Sequence, residues 1–186
     1  MTPFKALTLV TVLKRTFATL PLLAMIASPA LAAEKRELIG SFRDWDAIQS
    51  VNDKGQKTCY ILSSPKDTEI SRSGARRGDI YMTVTHRPAY EVTGEVNVVV
   101  GYPLRAGSEM SVSVDGKHSF RLFTEGNGAW TYDPQDDADL VKRMKAGLKL
   151  VARGVSHRGT RTADTYSLSG FTAAYNAISK ACGVSG

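Results

Sequence analysis

Alternation of apolar and polar residues with a period of two is the feature that most narrows what this chain can fold into. In 80-IYMTVT-85, Ile80, Met82 and Val84 fall on one side and Tyr81, Thr83 and Thr85 on the other. In 110-MSVSV-114, Met110, Val112 and Val114 alternate with serine, and Phe120 and Leu122 alternate with Ser119 and Arg121. Residues two apart share one face of an extended chain, so each run is a half-buried β-strand. The run 95-EVNVVVGY-102 reads the same way and is closed by Pro103, which has no N–H to give to a central ladder. Further strands are expected at 40–48, 57–63, 148–155 and 161–168. Asp115-Gly116, between two such runs, is a strong hairpin-turn signal. The segment 65–78 has no period and is expected to be a long exposed loop.

Two stretches change to helical spacing. In 133–147, Asp133 suits the N-cap, Pro134 the first helical position, and acids the first turn. Leu140, Val141 and Met144 make an apolar stripe, and Lys142, Arg143 and Lys145 suit the C-terminal end of the dipole. In 171–182, Phe171, Ala174, Tyr175 and Ile178 recur at helical intervals. Both stripes are expected to face the core. About eight strands with two short helices imply an antiparallel β-sandwich with helical additions, with a closed β-barrel as the alternative.

The N-terminal 32 residues carry Lys5, Lys14 and Arg15, no acid, a short apolar run, and Ala30-Leu31-Ala32 at the end. That order is the one found in secretory signal peptides. The apolar run before Pro29 is roughly 12 residues, where a membrane span takes about 20. An uncleaved N-terminal anchor is the rival reading. Residues 33–186 are then a single domain, long enough to bury a core. The chain's net charge of +6 includes the three cations of the leader, so about +3 remains. This mild excess, together with export, argues against a nucleic-acid partner. No later apolar run is long enough to span a membrane. The two cysteines, Cys59 and Cys182, are most simply a disulfide in an exported chain. A metal site or a catalytic thiol would need clustered histidines or a neighbouring base, neither of which is evident.

The stretch 155-VSHRGTRTADTYSLSGF-171 holds His157, Asp164, Ser167 and Ser169, the side-chain types of a nucleophilic triad. On a strand over 161–168, Asp164 and Ser167 point to opposite faces. A two-residue turn at Arg158-Gly159 would place Arg153 opposite Asp164, as a surface ion pair. A three-residue loop with a bulge would shift the pairing by one. Either register leaves His157 about 13 Å along the strand from Asp164. Asp44 and Asp46 flank Trp45 on one expected strand face, an arrangement a glycosidase could use, though a solvated face opposite a buried Trp45 is the plainer account. His86, His118 and His157 have no local ligand spacing. Arg72, Arg76 and Arg77, with Gly74 and Gly78, form a small basic loop that could contact an anionic partner. No P-loop or G-x-G-x-x-G is present. Hence no catalytic set, metal site or cofactor is expected.

The ordered series 101-GYP-103, Phe120, Ala129-Trp130, the helix with Met144, 158-RGT-160, 164-DTYSLSGFTAA-174 and Cys182, preceded by Cys59-Tyr60, resembles the invasion-associated locus B family. The resemblance spans about residues 38–184. It implies an immunoglobulin-like β-sandwich, a Cys59–Cys182 disulfide, and a secreted or envelope-associated protein of alphaproteobacteria. Some members are tied to host-cell invasion, many relatives belong to non-invasive bacteria, and no catalytic residue set comes with the family. The resulting expectation is an exported, non-enzymatic binding protein, periplasmic or secreted, or peripheral at the outer membrane. Its partner would be a protein, polysaccharide or lipid component of the envelope or a host surface. An envelope polysaccharide hydrolase and a small-ligand carrier are the alternatives.

Overall fold

A computed structural model describes residues 34–185 of the protein. The segment read as a signal peptide lies outside them. Eleven strands and two helices follow in the order β1 (Lys35–Phe42), β2 (Trp45–Val51), β3 (Lys57–Ser63), β4 (Asp67–Ile70), β5 (Tyr81–Arg87), β6 (Val92–Val99), β7 (Glu109–Val114), β8 (His118–Glu125), β9 (Gly128–Trp130), α1 (Pro134–Ala146), β10 (Lys149–Val155), β11 (Arg161–Ser167) and α2 (Phe171–Cys182). A 3₁₀ turn, Pro88–Tyr90, joins β5 to β6.

The strands form one antiparallel sheet in the order β1-β2-β3-β5-β6-β9-β8-β7-β10-β11-β4. The three-residue β9 bridges β6 and β8, and so joins two half-sheets. The sheet doubles back on itself. Trp45 Nε1 of β2 donates to Ser167 O of β11 at 2.9 Å, and Asp44 N donates to Ser169 O at 3.3 Å. Lys66, just before β4, meets the Asp44 carboxylate at 2.6 Å. Strands near opposite ends of the order therefore touch, yet the edge strands β1 and β4 do not pair. The architecture is a sandwich-like all-β fold and not the closed barrel held as an alternative.

The alternating residues go where their period sends them. Met82, Val84, Val96, Val98, Met110, Val112 and Leu122 are all fully buried. So are Leu140 and Met144 of α1 and Phe171, Ala174 and Ile178 of α2. Asp133 caps α1 by accepting from Gln135 N and Asp136 N, which satisfies two of the donors a helix start leaves open. Helix α2 lies across β1, β2, β3 and β5, and the Phe171 ring meets Trp45 edge-on at 5.0 Å. The left-handed Gly170 (φ 91°) lets the chain enter α2 against the β1–β2 turn. A Cβ there would sit 1.9 Å from Phe42 O, so only glycine fits. Cys59 of β3 and Cys182 at the end of α2 form a disulfide, Cα–Cα 6.0 Å.

Three expectations need correction. The strand expected over 40–48 is two strands, because Arg43 adopts φ 56° and Arg43-Asp44 turns β1 into β2. The expected loop 65–78 contains β4, whose polar residues pair with β11 across about a hundred positions of sequence. The hairpin β10–β11 has a three-residue loop with Gly159 at φ 81°, so Ala152 faces Asp164 and Arg153 faces Ala163. The Arg153–Asp164 pair does not form.

Candidate functional site

Asp164 has another partner. Its side chain is fully buried, and it takes two parallel bonds from Arg77, Nη1 to Oδ1 and Nη2 to Oδ2, each 2.6 Å. Thr68 Oγ1 of β4 adds a third at 3.0 Å. Arg77 is only 6% exposed. Its Nε donates to Val100 O at 2.9 Å, and its guanidinium lies over the Tyr102 ring at 5.2 Å. Planar two-point pairing of this kind is the strong form of an ion pair. Burial raises the Tyr102 phenol above its ordinary range, against the opposing bond to Thr162 Oγ1 at 2.6 Å. Nearby, Gly78 N donates to Gly101 O at 2.8 Å, and a Cβ on Gly101 would stand 2.6 Å from Gly78 O. The ion pair and this glycine contact tie the end of the 71–78 loop to β11 and to the end of β6.

The tied loop forms one wall of a cleft of about 670 Å³; the others are Gly101-Tyr102-Pro103 and the β10–β11 turn. Arg72 and Arg76 come from the loop, His157 and Arg158 from the turn, and all four are exposed. No carboxylate lines the cleft among the described residues. Arg105 stands beside the turn, 3.2 Å from where a Gly159 Cβ would be. Several guanidinium groups around one concavity without a counter-charge make a site for an anion, because each offers paired N–H donors to phosphate, sulfate or carboxylate oxygens.

Of the sequence candidates, Arg72 and Arg76 lie in this site as surface cations. Arg77 also lines the cleft, but its charge is spent on Asp164 and it is no free surface cation. Arg158 and His157 join the first two although they are about 80 positions away. The sequence marked Arg158 as part of a turn, with His157 beside it, but gave no sign of what the turn faces. Two of the runs that carry the family resemblance, 101-GYP-103 and 158-RGT-160, line the same cleft.

The other candidates do not come together. His157 Nδ1 sits 3.3 Å from Pro103 O, at the far end of the hairpin from Asp164. Ser167 Oγ accepts from Ser169 N at 3.2 Å. The Asp44, Trp45, Asp46 series is split by the turn: Asp44 is bound to Lys66, Asp46 is exposed, and the Trp45 ring is buried and hydrogen-bonded. His86 lies under α2 and His118 at the β7–β8 hairpin, apart from each other and from His157. Among the described residues no three His, Cys, Asp or Glu side chains are grouped to hold a metal.

The fold and the cleft together define a class: a disulfide-closed, sandwich-like β-protein with a cationic recess where loops meet at the strand ends. A family model described as Invasion associated locus B (IalB) protein matches residues 45–179. The chain belongs to that family. No curated protein and no solved structure matches it.

Proposed function

We propose that the protein is an exported, non-enzymatic binding protein of the bacterial envelope, which holds an anionic partner in the basic cleft. The observation that carries this reading is the convergence of Arg72, Arg76 and Arg158 in a lining that has no acid among the described residues. The disulfide suits an oxidising compartment outside the cytoplasm. Family membership suggests an invasion-associated, envelope-located protein. Among the described residues no helix is long and apolar enough to cross a membrane. The location we favour is periplasmic or secreted, held peripherally at an envelope or host surface through its partner.

Calorimetric titration with an anionic polysaccharide such as alginate, against neutral dextran, tests the reading. The alginate should bind, weaken as salt is raised, and lose about tenfold in affinity when Arg72, Arg76 and Arg158 are all changed to Ala, roughly 0.5 kcal/mol from each. Equal binding of both polymers, or of variant and parent, would rule it out.

A further inference from the structure

A second cleft, of about 520 Å³, reaches from the start of β6 across to β8 and β9. It differs from the first in both chemistry and sign. Its floor is an aromatic platform: Phe123 and Trp130 stack with centroids 5.8 Å apart, and Tyr132 leans on Phe123 at 5.6 Å. Tyr132 is 57% exposed, and Tyr90 on the opposite wall is 63% exposed. These are large apolar rings left in water at a concave site, which is the composition of a contact surface. Every charged residue of the lining is an acid. Glu95 is answered by Arg87 at 2.7 Å. Glu91 and Glu125 are exposed and have no ion-pair partner among the described residues. An aromatic face with free carboxylates at its rim is the complement of a guanidinium, which stacks on the ring and shares its N–H groups with the acids.

The same molecule carries such guanidinium groups on a projecting segment. Arg72 and Arg76 stand on the exposed 71–78 loop, with Gly74 (φ 72°) at its tip in open space. The aromatic cleft and the basic cleft share no lining residue. We infer that the aromatic cleft receives the 71–78 loop of a second copy, so that the chains associate head to tail. A two-fold contact of groove on groove, or loop on loop, would set like charges together. Loop into groove pairs opposite charges, and when each copy uses its loop on one neighbour and its groove on another the contact is heterologous and extends as a chain or closes as a ring. The inference rests on the reading of Arg72 and Arg76 as free surface cations. A neighbouring copy and an anionic ligand therefore compete for them.

Sedimentation of the oxidised protein over a concentration series tests this. At about 0.01 M salt, where charges act over about 30 Å, the mass should grow with concentration, and at about 1 M salt it should fall to that of one chain. The loop variant Arg72→Gln/Arg76→Gln and the groove variant Glu91→Gln/Glu125→Gln should each weaken association at least tenfold. Mixed in equal amounts, they should form a pair that does not extend, because each retains the surface the other lost. A parent protein of one-chain mass at every concentration overturns the inference. So does association that survives in the groove variant, or a mixture that stays monomeric. Alginate binding separates this inference from the functional reading: the groove variant should bind alginate as the parent does. Self-association by a protein that ignores alginate leaves the inference standing and sinks only the functional reading.

Discussion

Arg77 shows how little a residue's neighbours in sequence say about its work. It stands with Arg72 and Arg76 in a stretch of basic and glycine residues, yet its guanidinium is buried against Asp164, 87 positions away. Nothing local distinguishes it from Arg76. The difference is that β4 pairs with β11 and brings the base of the loop over the one buried carboxylate of that strand. A buried pair adds little over a well-packed apolar pair, but removing one member leaves an uncompensated charge. We expect Arg77→Ala to lower the unfolding free energy by about 3–5 kcal/mol in urea titrations, and Arg77→Met with Asp164→Leu to recover most of that loss. A loss under ~1 kcal/mol for the single change would mean the pair does not anchor the loop.

At the scale of elements, two titratable side chains pin the helices to β5 and β6, with opposite pH dependence. His86 of β5 accepts from Gly94 N at Nδ1 (3.0 Å), which leaves its Nε2 proton for Ser179 Oγ of α2 at 3.1 Å. Burial, then the nearby Lys145 charge, lowers its pKa from 6.5 to about 4. Asp137 of α1 accepts from Val96 N at 2.8 Å. Burial, which outweighs the bonds from Val96 and Thr131, raises its pKa from 3.8 to about 6, and Glu95 and Asp136 add to the rise. Tyr175 of α2 also faces Asp137, and its phenol is raised, mainly by burial. A depressed histidine contributes stability that is present above 6.5 and lost as pH falls towards 4. A raised carboxyl contributes stability that is present below 3.8 and lost as pH rises through 6. Across pH 4–6 the two slopes oppose each other, and the parent's stability should change little. Asp137→Asn removes one slope, so the variant should gain about 2 kcal/mol between pH 4 and 6. A flat profile for the variant, from denaturation at several pH values, would refute this account. Element positions were largely legible: β3 and α2 fall where their periods place them, because an alternating stripe is a local property. The strands β1, β4 and β9 were not. β1 and β4 are edges with few buried side chains, so no apolar period marks them, and β9 is a bridge of three residues, too short to show one.

For the whole molecule, the Cys59–Cys182 bond closes a separation of 123 residues and fastens α2 across the sheet. Changing both cysteines to Ser should cost about 3–5 kcal/mol, from the loop entropy restored to the unfolded chain. An unchanged denaturation midpoint would show that packing alone holds the helix. By itself the sequence determined the class of fold, the faces of the long strands, both helices, the cysteine pair and the family, because each is written in residues near one another or in a residue type with few uses. Only the tertiary structure decided that the sheet doubles back without closing, that Asp164 belongs to Arg77 rather than Arg153, and that Arg72, Arg76, His157 and Arg158 share a cleft. The reason is physical. Periodicity fixes which way a side chain points. What it meets depends on turn length and on strand pairings across a hundred residues, and one residue of register exchanges every partner.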